Sequence, residues 1–335
     1  MNSRTEVTGT WGWIAERSDR LARDLVRDAD VLGLVVSRSP SGATVIDCGI
    51  GAPGSWEAGR RIVEICHGGM ARAEIGITEI AGVGHPTITV DSWLPERSAY
   101  GMQVSIPLIE IYPALRVSGP IAATFDRDRF AAAAAASSRA WGIAVLETDR
   151  LPDERTLDAL AWRGGRSNDE LTVIAVPTRS ITGATQIAGR INECVLFTMK
   201  ESLGIDIGCV DHIVGEVAIA AGSALAMAHA PTPDDYIHYA GRVVLTLDAE
   251  PGLDVDDLAS KLTFRSTPAY GRRFADLLDE AGGVFEAIPG LNDLNKVAHV
   301  TVIDRRTGKI ASAGARDDAL LAEWMLDAGV TREAS

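Results

Sequence analysis

Three glycines between a strand and a helix constrain this chain more than any other feature. Residues 43–48 form a short β-branched run, Gly49, Gly51 and Gly54 follow as G-x-G-x-x-G, and Ser55 can cap a helix through Met70. The apolar face of that helix is Ala58, Ile62, Ile65 and Cys66, with Gly68 and Gly69 closing it. A strand, a glycine turn and a helix in that order place the chain among α/β folds. The spacing also matches a dinucleotide-binding turn, with Glu74 twenty residues beyond Gly54. Two features argue against that reading. Pro53 stiffens the turn where backbone amides would converge on a pyrophosphate, and the strand follows a long helix and another strand instead of opening the fold. The other reading is a turn whose glycines let backbone approach another element or an uncharged ligand.

The same alternation continues along the chain. Trp13, Ile14, Leu21 and Leu25 recur at helical spacing among charged residues over 10–30. Strands are expected at 32–36, 43–48, 72–80, 87–90, 143–147, 171–176, 242–247, 298–303 and 309–313, the last two as a hairpin. Helices are expected at 153–162, 186–202, 254–262, 272–279 and 319–327, and in the alanine run 131–136. Residues 177–185 read as a loop, 217–230 as helical or buried, and Pro107, Pro113 and Pro120 as turns or edge segments. No internal repeat or linker-like stretch is present, so any two lobes pack tightly.

Charge narrows the function. The 32 basic and 46 acidic residues leave a net −14, the wrong sign for nucleic acid or an anionic membrane surface. Aromatics at 5% are too few for base-stacking platforms. No stretch approaches the roughly 20 apolar residues of a membrane span, and the N-terminus lacks the plan of a signal peptide. A cytoplasmic protein with a small-molecule partner and no metal is expected. Cys48, Cys66, Cys194 and Cys209 have no C-x-x-C pairing and read as buried small hydrophobes. His67, His85, His212, His229, His238 and His299 are scattered without metal-site spacing. No G-x-S-x-G, G-x-x-x-x-G-K-[ST] or H-E-x-x-H occurs.

One constellation offers chemistry. Arg190 and Glu193, three apart on the helix after Thr185, share a face, which suits either a surface ion pair or an acid–base group beside a charge stabiliser. Pro177, Thr178, Arg179, Ser180, Gly183, Thr185 and Gln186 precede them at the C-terminus of a strand, where α/β folds hold ligands.

Residues 44–71, T-V-I-D-C-G-I-G-A-P-G-S-W-E-A-G-R-R-I-V-E-I-C-H-G-G-M-A, resemble the methenyltetrahydromethanopterin cyclohydrolase family, whose members carry a similar series. The resemblance continues in S-G-P at 118–120, L-E-T-D-R-L-P-D-E at 146–154 and V-P-T-R-S-I-T-G-A-T-Q-I-A-G-R-I-N-E at 176–193. Tyr270 with Gly271 and T-G-K-I-A-S-A-G at 307–314 extend it over nearly the whole chain. It implies a mixed α/β fold of two packed lobes enclosing one pocket, with the boundary placed near Asp126 (1–125 and 126–335) and segments open to sharing. It also implies a homo-oligomer, commonly a trimer. In that family water adds to an amidinium-like methenyl carbon of a pterin and a carbon–nitrogen bond opens, without metal or nucleotide; the pterin is substrate, in one-carbon metabolism. Carried over, Arg190 and Glu193 are the catalytic pair, Glu193 as general base with its pKa held down by Arg190. The matched segments offer Pro53, Gly54, Ser118, Gly119, Pro120, Glu147, Thr178, Ser180 and Gln186 as substrate-binding candidates. Family members with Asn at the position of Gly51 speak against the dinucleotide reading.

The departures point elsewhere. The family's active-site lysine falls within E-R-S-A-Y-G-M, residues 96–102, where Arg97 and Ser98 stand instead. Its paired aspartates fall at Ala224 and Leu225, and its G-R-T-N-D block reads Pro231, Thr232, Pro233, Asp234 and Asp235. Each lost polar contact costs about 1–3 kcal/mol. The expectation is therefore a divergent paralogue, a cyclohydrolase-type enzyme acting on a cyclic amidine, imine or amide. Its rivals are the parent pterin reaction, a non-catalytic metabolite-binding protein and an NAD-dependent oxidoreductase.

Overall fold

The computed structural model describes residues 10–108, 111, 115–125, 139–220, 229–249 and 251–330. The chain opens with α1 (Thr10–Arg27), β1 (Val35–Arg38), β2 (Thr44–Asp47), α2 (Trp56–Cys66) and a long hairpin of β3 (Ala71–Ile80) and β4 (Val83–Trp93). A π-helical segment, Glu96–Gln103, leads to β5 (Ile106–Pro107), β6 (Arg116–Ser118), α3 (Ala122–Phe125), β7 (Ile143–Glu147), α4 (Glu154–Gly164) and β8 (Thr172–Val176). Then come α5 (Ile181–Ala188), α6 (Ile191–Phe197), β9 (Val210–Ala218), α7 (Pro233–Ala240), β10 (Arg242–Leu247), α8 (Val255–Lys261) and α9 (Phe274–Glu280). Last are α10 (Leu291–Leu294), β11 (His299–Asp304), β12 (Ile310–Gly314) and α11 (Asp318–Asp327).

The strands form two six-stranded sheets, β1-β2-β8-β7-β6-β5 and β12-β11-β10-β9-β4-β3. In the first, β2, β8 and β7 run parallel at the centre and the outer strands are antiparallel. Alternation sends Ile46, Val145 and Ile174 to one face, against Ile14, Leu25, Ile62 and Ile65 of α1 and α2. Val45, Ala144 and Val173 face the other way, against Leu157 and Leu160 of α4. Helices on both faces explain why these strands read as continuous apolar runs. The second sheet is antiparallel except for β10 and β11. Val243, Leu245, Val300 and Val302 face its core, and the opposite face carries cross-strand polar pairs such as Arg242–Glu216 at 2.8 Å.

Neither sheet is drawn from one half of the chain. The β3–β4 hairpin pairs with β9, far downstream, while β7 and β8 complete the sheet begun by β1 and β2. Asp126 lies outside the described residues, and a single cut there divides both sheets. Two expectations about single elements change. The loop 177–185 ends early, because the Ser180 hydroxyl accepts the Gly183 N–H at 2.9 Å and starts α5. The helix 186–202 is broken at Gly189 and Arg190, where a Cβ on Gly189 would lie 2.2 Å from Val63 Cγ2 on the crossing α2. Of the run 217–230, Val217, Ala218, Ile219 and Ala220 are buried, the second of its two alternatives, and Val217 and Ala218 finish β9, while residues 221–228, the alanine run 131–136 and Pro113 lie outside the described residues. Helix α7 escaped the apolar pattern; its signal is Thr232 as N-cap, Pro233 in the first turn and Asp235 closing a capping box.

Candidate active site

The break between α5 and α6 makes a site. Glu147 ends β7, at the carboxyl edge of the parallel strands. Arg190 is the N-cap of α6 and Glu193 lies in its first turn. Arg190 Nη1 meets Glu147 Oε1 at 3.0 Å and Nη2 meets Glu193 Oε2 at 2.7 Å. Nη2 also donates to the Gln103 carbonyl at 2.5 Å, and Gln103 Nε2 donates to the Gly189 carbonyl at 3.1 Å, which pins the break from outside. The side chains of Arg190, Glu147 and Glu193 are only 9%, 15% and 10% exposed. Arg190 and Glu193 thus pair across a helix start instead of along one continuous face.

Charge is scarce and unbalanced here. Burial opposes the Arg190 charge, but Glu193 and Glu147 outweigh it and hold the guanidinium protonated. Burial pushes Glu193 up to about 7; Arg190 pulls it back and Glu147 adds to the rise. The expected depression by Arg190 is present but outweighed, because one guanidinium shared with Glu147 does not offset the desolvation of Glu193. Glu193 is poised to take and release a proton near neutral pH. Asp234, on the first turn of α7, is raised to about 7 by burial, by Asp235 and by Glu147.

The surroundings are polar and partly unsatisfied. Gln186, one turn before Arg190, is fully buried with both amide atoms unpartnered. The Gln103 side-chain oxygen is also unpartnered. Cys66 Sγ lies 3.6 Å from Ser118 Oγ, and burial pushes its thiol up to about 11, so it is no nucleophile at neutral pH. His67, held neutral by burial, keeps Nδ1 2.8 Å from the Val63 carbonyl and leaves Nε2 unpartnered.

The candidates from sequence fall into two groups. Arg190, Glu193 and Glu147 are in contact, Gln186 is on the adjoining turn, and Ser118 lies against Cys66, whose thiol feels the charge of Arg190. Gly119, with φ +93°, donates its N–H to the Met102 carbonyl at 2.7 Å, and Pro120 is buried beside it. Pro53, Gly54, Thr178 and Ser180 belong to a neighbouring corner. A Cβ on Gly54 would meet Thr182 Oγ1 at 2.3 Å, and the Ser180 hydroxyl donates to the Pro177 carbonyl at 2.9 Å while capping α5. Pro53 and Thr178 are exposed there. Gln103 and Asp234 were missed: Gln103 lies in a segment with no helical pattern, and in T-P-D-D the first aspartate reads as an ordinary capping acid.

The glycine turn is also explained. The Asp47 carboxylate accepts the N–H groups of Gly49, Ile50, Gly51 and Ala52 at 3.0, 2.7, 2.8 and 3.1 Å. The amides that a pyrophosphate would require are already engaged, so the dinucleotide reading has no donors left. Burial works against the Asp47 charge, but these four bonds outweigh it and hold its pKa below the usual value.

Comparison with known proteins gives the family. The family model described as "Cyclohydrolase (MCH)" matches residues 14–324. The methenyltetrahydromethanopterin cyclohydrolase of Methanococcus maripaludis strain C5 is 30% identical over 306 residues, covering 88% of this chain and 92% of the relative. That of Methanococcus vannielii is 31% identical over 304 residues, covering 87% and 91%. That of Methanothermobacter marburgensis is 28% identical over 309 residues, covering 89% and 94%. The chain therefore belongs to the cyclohydrolase (MCH) family and is an enzyme of its class, a hydrolase of cyclic carbon–nitrogen bonds.

Proposed function

We propose that this enzyme hydrolyses, or in reverse closes, a carbon–nitrogen bond at a cationic amidine carbon, a methenyl carbon held between two ring nitrogens as in a methenyltetrahydropterin. The observation that carries this reading is the charge count: one buried guanidinium faces Glu147 and Glu193, leaving an excess negative charge for a cationic centre. Glu193 takes one proton from the attacking water, and the remaining hydroxide equivalent adds to the methenyl carbon as a neutral carbinol. Arg190 positions Glu193 and stabilises charge developing on the added oxygen. As the carbon–nitrogen bond breaks, the carbinol proton moves to the departing nitrogen, the formyl C=O forms, and Glu193 returns its proton to solvent. None of these steps calls for a cofactor or a metal; a pterin would be the substrate.

The relatives' names make methenyltetrahydromethanopterin the first compound to try. Loss of its near-ultraviolet absorbance faster than in buffer, and at least a hundredfold slower in Glu193→Gln, is the expected result. No turnover, or unchanged turnover in Glu193→Gln, would overturn the reading. A second reading, an altered substrate on the same chemistry, is favoured by Arg97. Its guanidinium lies over the Trp11 ring, 5.2 Å from the centroid, and Ser98 Oγ bonds the Trp93 and Leu94 carbonyls at 3.1 Å. Neither residue takes the place of the family's lysine.

A further inference from the structure

Helix α6 is seven residues long, and its first turn carries Asn192 between Arg190 and Glu193. Asn192 is fully buried. Its amide nitrogen donates to the Val90 carbonyl and to the Ser92 hydroxyl on β4, each at 2.9 Å, and reaches the Ile213 carbonyl on β9 at 3.4 Å. Carbonyls only accept, so the amide nitrogen, and not its oxygen, faces the sheet. Strands β4 and β9 are neighbours there, with Ser92 opposite Ile213 and Val90 opposite Gly215. One side chain therefore joins the start of α6 to two strands of the second sheet.

Gly215 supplies a second, independent observation. It lies within β9 with no left-handed φ, so backbone conformation does not call for glycine. Packing does: a Cβ there would lie 2.5 Å from Asn192 Oδ1 and 2.5 Å from Ile191 Cγ2. The strand is shaped to receive this amide. Ile191, Val195 and Leu196 of the same helix are buried among apolar residues. Apolar contacts are non-directional and let a helix turn or slide, whereas hydrogen bonds to two strands fix its rotation. Successive helix residues point about 100° apart. Seating Asn192 in the second sheet thus turns Glu193 aside from it, toward Arg190 and, through Arg190, toward Glu147 at the end of β7 in the first sheet.

We propose that Asn192 is a positioning residue for the reaction: by tying α6 to β4 and β9, it sets the direction in which Glu193 meets Arg190. Its contribution passes through Glu193, whose proton transfer needs the carboxylate held in line with the attacking water. The assignment deepens the function proposed above and rests on it for the role of Glu193 in hydrolysis.

The test compares three variants of the full-length enzyme. Asn192→Leu keeps the bulk and removes the amide, and Gly215→Ala keeps the amide and displaces it. Thr87→Val is the control: Thr87 Oγ1 donates to the Val217 carbonyl at 2.8 Å, a buried bond between the same two strands. Rates with methenyltetrahydromethanopterin are measured, and the Glu193 carboxyl is titrated by carbon-13 NMR, its signal assigned by its loss in Glu193→Gln. Asn192→Leu and Gly215→Ala should each lower kcat about tenfold or more, with KM changed less than about threefold. Each should also shift the Glu193 titration midpoint by about half a pH unit or more. Arg190, Glu147 and Arg116 are charges that act on Glu193, and none of them is altered, so a shift reports displacement. Thr87→Val should leave kcat and the midpoint unchanged. An unchanged kcat and midpoint in Asn192→Leu, or an equal loss in Thr87→Val, overturns the assignment; if Asn192→Leu does not fold, the same results in Gly215→Ala decide. Absence of turnover in the wild type overturns the hydrolytic reading alone, because the NMR titration still decides Asn192.

Discussion

Glu193 is where sequence and structure diverge most usefully. Its pairing with Arg190 was legible in R-I-N-E, but its ionisation was not, because burial and the distant Glu147 are invisible to spacing. Its pKa lies near 7 instead of the usual 4.5, so the native protein binds a proton more tightly than the unfolded chain between those values. Stability from this group is complete below about pH 4.5 and is lost as pH rises through 7. At about 1.4 kcal/mol per unit, the loss is up to roughly 3 kcal/mol. The unliganded enzyme should therefore resist urea better at pH 5 than at pH 8, and Glu193→Gln should flatten that dependence. A urea midpoint with the same pH dependence in both proteins would contradict the assignment. Asp47 makes the converse case: the glycines around it were conspicuous, yet only the structure shows that one carboxylate collects four amides. Asp47→Ala leaves those donors without their acceptor and should cost about 2–3 kcal/mol in denaturant titrations.

At the level of elements, strand and helix cores were largely readable, because alternation and helical periodicity report burial directly. What escaped was the α5–α6 break, since A-G-R-I-N-E contains no proline and its helix propensity is good apart from Gly189. The break is set by packing. Helix α2 crosses α5 so closely that a Cβ on Gly59 would lie 2.4 Å from Thr185 Cβ and 2.7 Å from the Thr182 carbonyl. The same helix presents Val63 to Gly189. Gly59→Ala must push α5 away from α2, at about 1–3 kcal/mol for an overpacked contact. Because α5 leads directly into Arg190, the displacement should also lower kcat, whereas Gly84→Ala, at the start of β4 with open space around it, should leave kcat unchanged. Thermal melts and steady-state rates on the two variants separate these outcomes.

On the scale of the whole molecule, local patterns identify strands but not their partners, and both sheets take strands from either side of residue 126. Residues 1–125 contain β1, β2, β5 and β6 but lack β7 and β8, so β2 loses the parallel neighbour that covers it. They also contain the β3–β4 hairpin, whose inner strand pairs with β9 over Thr87–Trp93. The remainder keeps β7 and β8 without the strands on either side of them. Arg116 on β6 adds a late tie across the molecule, pairing with Glu286 and lying with its guanidinium 4.8 Å from the Phe285 ring centroid. Exposed strand edges and uncovered apolar faces on both pieces predict that neither folds alone. Expressed separately, 1–125 and 126–335 should show no cooperative thermal transition. Expressed together, they should associate and recover one, because every long-range pairing is then available. A cooperative melt from 1–125 alone would show that its strands form a self-sufficient unit, contrary to the crossed topology.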